Sequence, residues 1–134
     1  MIYLINGKQN IRLKSQMKSI IKDSIKEIDA MNFVKFDASL TQIQEIMSEA
    51  NYMPLGYDKK VVVIDSPYFL MKERTKSKIE SEQDYQTLLN YLNKPNPDVD
   101  LIFLVNTAEK EIDKKNEYYQ LIEKNGKVIT VAEP

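Results

Sequence analysis

Two runs of consecutive apolar residues limit what this chain can fold into, "KVVVID" (60–65) and "VDLIFLVN" (99–106). A strand with one wet face alternates polar and apolar residues. Runs without alternation belong to strands covered on both faces, the habit of parallel sheets flanked by helices. Three further strands join them: "MIYLIN" (1–6), closed by Asn6-Gly7, then "NFVKFD" (32–37), and last "KVITV" (127–131). From Ile11 to Ile28 the apolar residues Leu13, Met17, Ile20, Ile21, Ile25 and Ile28 recur at helical spacing. Ser39-x-x-Gln42 has the form of a capping box, opening a helix with Leu40, Ile43, Ile46, Met47 and Ala50 on one face. Residues 72–84 are polar and mixed in charge, as expected of a mobile connection. Tyr85, Leu88, Leu89 and Leu92 mark a third helix, stopped before Pro95. A fourth covers 111–124 and ends at Asn125-Gly126, where a left-handed cap is expected. Five strands separated by four helices predict an α/β fold: an open, parallel five-stranded sheet in three layers with right-handed crossovers. The 134 residues are enough for one domain, 1–134.

Composition narrows the chemistry. There is no cysteine, hence no disulfide, no thiol nucleophile and no thiolate-bound zinc. There is no histidine, which removes the usual general base near neutral pH and the commonest metal ligand. A formal charge of −1 gives no bulk electrostatic case for nucleic acid or an anionic membrane. No apolar run is long enough to span a bilayer, and the first residues are flanked wrongly for a signal peptide. A cytoplasmic location is expected.

Open α/β sheets bind ligands at the C-terminal ends of their strands, and the active sites such sheets host fail here one by one. A phosphate-binding loop after the first strand needs G-x-x-x-x-G-K-[ST]. Counting from Gly7, the second glycine falls on Arg12, the lysine on Leu13 and the hydroxyl on Lys14. The third strand ends in Asp65, as a magnesium-anchoring strand would, but Ser66 stands where a second acid is required, so Asp65 reads as the cap of a turn. A phosphorelay receiver would need acids after the first strand and a lysine after the fifth. Asn6-Gly7 and Ala132-Glu133 stand there instead. Asn106-Thr107 has no phosphate to sense without a cradle. Lys14, Lys18, Lys22 and Lys26 run along the first helix at spacing of four, yet Asp23, Glu27 and Asp29 interrupt them, as on a solvated face. The basic stretch "KERTKSK" (72–78) runs straight into "ESEQD", again the pattern of a solvated loop. Tyr118 and Tyr119 divide between core and helix edge.

One segment does not read as scaffold. "NYMPLGYDKK" (51–60) gathers Tyr52, Met53, Leu55 and Tyr57 around Pro54 and Gly56, beside the charged Asp58, Lys59 and Lys60. Pro54 ends the second helix near Asn51 or Tyr52. "MPLG" fits a type I turn with proline second and glycine fourth, which puts Met53 and Leu55 on a protruding corner with little room to fold back. Tyr52 either covers the open end of the sheet or joins that corner. An apolar tip rimmed by charge is what an interaction site looks like.

At this point the chain resembles a known family, the N-terminal domain of the delta subunit of bacterial DNA polymerase III. The resemblance rests on "MIYLINGKQN", "EANYMPLGYDKKVVVIDSPYFL" (49–70), "LNKPNPDVDLIFLV" (92–105) and "NGKVITV" (125–131), and spans nearly the full length. It implies a P-loop NTPase-like domain of AAA+ type with a degenerate nucleotide site. It also implies a clamp-binding element in the loop before the third strand, made of a hydrophobic residue followed by an apolar pair. Met53 takes the first position and Leu55 the first of the pair. The second, ordinarily Phe, falls on Gly56, with Tyr57 one place later as the substitute aromatic. The implied function is non-catalytic: a clamp-loader subunit that binds and helps open the sliding clamp during DNA replication. ATP would be hydrolysed by other subunits, and nucleotidyl transfer would belong to the holoenzyme. The implied partners are the sliding clamp (the beta subunit), other clamp-loader subunits, and primed DNA indirectly, with no cofactor, metal or membrane. Contacts to the other subunits would run through lid and collar domains that are absent here, so a fragment is expected. The rival readings are an active P-loop NTPase, opposed by Arg12, Leu13, Lys14 and Ser66, and a DNA-binding module resting on the lysine row alone.

Overall fold

The computed structural model describes residues 1–73 and 77–132. Five strands form one sheet in the order β2-β3-β4-β1-β5: β1 (Ile2–Gly7), β2 (Phe33–Asp37), β3 (Lys60–Asp65), β4 (Val99–Asn106) and β5 (Lys127–Thr130). Every pairing is parallel. The two unalternating runs lie side by side as β3 and β4 in the middle of the sheet, and Val61–Ile64 are fully buried.

The strand order dictates where the helices go. From β1 the chain steps across β4 and β3 to reach β2, and every later crossover runs in the opposite direction. Since right-handed crossovers are the rule, the first helix must cover one face and the others the opposite face. The packing agrees. Helix α1 (Asn10–Ser24) buries Leu13, Met17, Ile20 and Ile21 against Ile5, Val61, Val63, Ile102 and Leu104. The other face carries α2 (Ile43–Asn51), α3 (Tyr85–Asn93) and α4 (Glu117–Asn125), packed on Leu4, Val62, Ile64, Leu101 and Phe103.

Several local expectations fail, each for a physical reason. Helix α1 stops at Ser24 because the chain turns extended at Ile25, which is buried all the same, while Ile28 is exposed. Lys26 therefore lies outside the lysine row, and Lys14, Lys18 and Lys22 remain on the solvent face of the helix. Ser39 caps no helix: its hydroxyl donates to Asp37 Oδ1 at 2.6 Å, and Leu40 stays exposed. Helix α2 begins four residues later, its Ile43 N–H held by Gln83 Oε1 at 2.7 Å. Helix α4 starts at Glu117 with Asn116 as a true cap, and both Tyr118 and Tyr119 are buried. Gly126 is not left-handed but extended (φ −136°, ψ −155°). It is glycine because a Cβ would stand 2.5 Å from the carbonyl oxygen of Ile2.

The 72–84 connection is tied down where it is described. Lys72 Nζ pairs with Glu111 Oε2 at 2.8 Å, Gln44 Nε2 donates to the carbonyl of Glu82 at 2.9 Å, and a short 3-10 turn covers Glu80–Glu82. Of the basic stretch 72–78, residues 74–76 lie outside the described residues, as do Glu133 and Pro134.

Candidate functional site

In a sheet of this order the loops leaving β1 and β4 diverge to opposite faces, so the crevice between their C-terminal ends is where a ligand would be expected. Here it is narrow. Only Lys8 and Gln9 separate β1 from α1, too few residues to wrap a phosphate in backbone N–H groups. The Thr107 N–H donates to the carbonyl of Gly7 at 2.8 Å, and Asn106 Nδ2 donates to Asn10 Oδ1 at 2.8 Å, bridging the two sides. A Cβ on Gly7 would meet Val131 Cγ2 at 2.3 Å, so the chain after β5 fills the space above the strand. Leu13 points into the core rather than toward the crevice.

A cleft of about 560 Å³ opens beside this point, lined among others by Lys14, Lys35, Asp65, Ser66, Asn106 and Lys110. Asp65 behaves as the sequence suggests for a turn cap: its Oδ1 accepts the Ser66 N–H at 2.9 Å, and Ser66 takes a left-handed φ of 54°. Lys35 Nζ stands 3.8 Å from the other carboxylate oxygen. Asn106 Oδ1 is likewise occupied, by the Ala108 N–H at 2.8 Å. Asp65 Oδ1 and Asn106 Oδ1 are thus both engaged by backbone N–H groups.

At the opposite end of the strands the segment before β3 has a different character. Its turn sits one residue later than expected, over Pro54–Tyr57, closed by a 3.1 Å bond from the Tyr57 N–H to the Pro54 carbonyl. Gly56 occupies the third position with φ +87°, the conformation a type II turn demands there and only glycine adopts freely. The shift of register decides which side chains protrude. Leu55, at the second position, is 99% exposed. Pro54 is buried, and Met53, expected on the corner, folds back and packs half-buried against the core on the face that carries α2, α3 and α4. Tyr57 is half-buried and its hydroxyl donates to Asp29 Oδ2 at 2.7 Å. That bond raises the Tyr57 phenol above its ordinary pKa and is the main reason the Asp29 carboxyl lies below its own.

Tyr52 is 54% exposed, so it joins the turn rather than closing the sheet, and its ring centroid lies 5.2 Å from Lys60 Nζ. Lys60 does not join Asp58 and Lys59 on the charged rim. It is wholly buried, with its ammonium on the Glu49 carbonyl (2.8 Å), Glu49 Oε1 (2.6 Å) and the Tyr52 carbonyl (3.0 Å). Sequence reasoning missed this lysine and Asp29 as parts of the site. The signal was present for the first: α2 ends with no basic residue in its last turn, and Lys60 supplies the missing cation from the neighbouring strand.

The geometry now has relatives. A family model described as DNA polymerase III, delta subunit, matches residues 3–132. The DNA polymerase III subunit delta of Bacillus subtilis (strain 168) is 22% identical over 133 residues, covering 98% of this chain and 37% of that protein. Among solved structures, a Bacillus subtilis DNA clamp loader delta protein superimposes with a TM-score of 0.85 at 22% identity, covering 99% of this chain and 38% of that one. A gamma subunit-related protein of DNA polymerase III from Thermotoga maritima gives 0.62 at 17% identity, over 100% of this chain and 42% of its own. The chain thus spans about two fifths of the length of the relatives it matches, and shares their fold across that span.

Proposed function

The chain belongs to the DNA polymerase III delta subunit family, and on that premise we propose that it is a non-catalytic clamp-loader module that binds the sliding clamp through the 53–57 turn and helps open it during DNA replication. One observation carries the proposal: Leu55, a large apolar residue, stands 99% exposed at the tip of a turn that the fold holds in place. A lone exposed leucine is ordinary. A leucine lifted clear by a glycine-dependent turn, with Tyr52 and Tyr57 beside it and Met53 beneath, is shaped for a partner's pocket. In this reading Leu55 enters an apolar pocket of the clamp, Met53 supports the turn and lends its exposed part, and Tyr57 contributes ring surface while its hydroxyl stays on Asp29.

The C-terminal end of the sheet supports the non-catalytic half of the proposal. The two-residue connection after β1, the packing of Val131 over Gly7 and the engagement of Asp65 and Asn106 with backbone speak against a triphosphate held there by a phosphate-binding loop. ATP hydrolysis then falls to other subunits, and any nucleotidyl transfer to the holoenzyme. This chain would act as the N-terminal AAA+-type domain of delta, and further domains of such a subunit would carry the contacts to its neighbours. No helix among the described residues is long and apolar enough to cross a membrane, which is consistent with the cytoplasmic role proposed here. The test is capture of the chain by the immobilised cognate sliding clamp. Saturable binding competed by a peptide spanning 51–58 supports the reading, and absence of binding at high micromolar concentration contradicts it.

A further inference from the structure

Lys60 opens β3 with its side chain fully buried, where methionine or leucine would fill the same space without the penalty of desolvating a charge. All three ammonium hydrogens are engaged, and every acceptor belongs to the end of α2 or to the residue just before Met53. The backbone of Lys60 is fixed in turn, its N–H donating to the Asp98 carbonyl at 3.1 Å and its strand paired with Val99. A rigid strand in the middle of the sheet therefore holds the carbonyl of Tyr52, and the chain from 52 to 60 becomes a loop clipped shut at its base. From this geometry we infer that Lys60 is the positioning residue of the docking turn: it fixes the exit of the chain from α2 and so the direction in which Leu55 is presented. A surface loop held in its bound shape avoids the entropy of ordering when the partner arrives. The consequence for affinity rests on the docking reading above. The anchoring itself does not.

The experiment compares Lys60→Met, Leu55→Ala and their combination in the full chain, by amide hydrogen exchange in the free protein and by affinity for the cognate sliding clamp. The expected result in Lys60→Met is exchange at the hydrogen-bonded amides of Tyr52 and Tyr57 accelerated by about tenfold more than in β4, and clamp affinity lowered about tenfold. The loss should nearly vanish in the Leu55→Ala background, because a residue that acts by presenting Leu55 has nothing left to present. Unchanged exchange at the turn overturns the inference, as does a loss that persists in full when Leu55 is already gone. Should Lys60→Met not fold, Glu49→Ala removes the nearest partner of the ammonium and leaves both carbonyls. The same pattern is then expected at about a third of the size, and its absence is equally decisive. If the wild-type chain does not bind the clamp, the docking reading has failed. The exchange comparison needs no clamp and still decides whether Lys60 sets the turn.

Discussion

The hydroxyl of Tyr57 donates a 2.7 Å hydrogen bond to Asp29 Oδ2, joining the turn before β3 to the loop before β2. The other oxygen of Asp29 accepts the N–H groups of Met31 (2.7 Å) and Asn32 (3.0 Å), so the carboxylate organises its own loop while it steadies the neighbouring one. Together with Lys60 at the base, this bond ties the 54–57 turn at both ends.

The Tyr57–Asp29 bond predicts a pH window. The Asp29 carboxyl is depressed first by the Tyr57 hydroxyl and then by the Met31 N–H, so its contribution is present above the ordinary aspartate range and is lost as pH falls through the depressed value. Tyr57 is raised by the same bond, so its contribution is complete below the ordinary tyrosine value and is lost as pH climbs through the raised one. Carbon-detected NMR titration should place the Asp29 midpoint below that of a free aspartate and move it part of the way back in Tyr57→Phe. An identical midpoint in both proteins would mean that the bond does not form in solution.

Two glycines should respond to alanine for different reasons. At Gly56 a Cβ meets nothing within 4 Å, so Gly56→Ala carries only the cost of a left-handed φ, about 1–2 kcal/mol. At Gly126 a Cβ runs into backbone of Ile2 and Ile122, where nothing flexible can give way, and Gly126→Ala should cost about 3 kcal/mol or more. Denaturant titration of both variants checks the order. Gly56→Ala should also weaken clamp binding more than its stability loss explains, since it disturbs the turn that carries Leu55.

No saturable ATP binding is expected. Titration with a fluorescent ATP analogue and magnesium should give a flat response, because the connection after β1 has two residues and Leu13 stands in place of the phosphate-binding lysine. A micromolar dissociation constant would restore the NTPase reading.

The lysine row should prove a solvated face. Lys18 and Lys22 are both exposed on α1, and changing them to Glu should alter stability by no more than about 0.5 kcal/mol and leave clamp binding unchanged. Loss of primed-DNA binding in this pair would argue instead for a direct role in contacting DNA.

The fold was legible where burial dominates and obscure where a distant partner decides. Val61–Ile64 and Leu101–Val105 can only be strands covered on both faces, and from them the parallel sheet follows. Ile25 continues the helical period of α1, yet an extended chain buries it as well, so periodicity could not locate the end of the helix. Ser39 looked like a cap because the residues after it fit, but Asp37 captures its hydroxyl, and Ile43 is capped by Gln83 from forty residues away. At the site, Pro54 and Gly56 announced a turn, and Leu55 is exposed as expected. Its register depended on which carbonyl the Tyr57 N–H would find, and that moved Met53 inward. Lys60 read as a surface charge because two of its three acceptors are backbone carbonyls, and only the missing base at the end of α2 hinted at its place.

The direct test of the proposed docking turn is a single truncation. Leu55 is fully exposed in the free chain, so Leu55→Ala leaves no cavity and should not move the thermal midpoint, whereas Met53→Ala, half-buried against the core, should cost about 1 kcal/mol. If Leu55 fills a clamp pocket, its burial there is worth about 1.5–3 kcal/mol. The measurement is the dissociation constant of Leu55→Ala for the cognate sliding clamp, taken beside its thermal midpoint. The account predicts an unchanged midpoint and binding weakened by about tenfold or more. Wild-type affinity in the truncated protein would contradict it and move the clamp contact away from this turn.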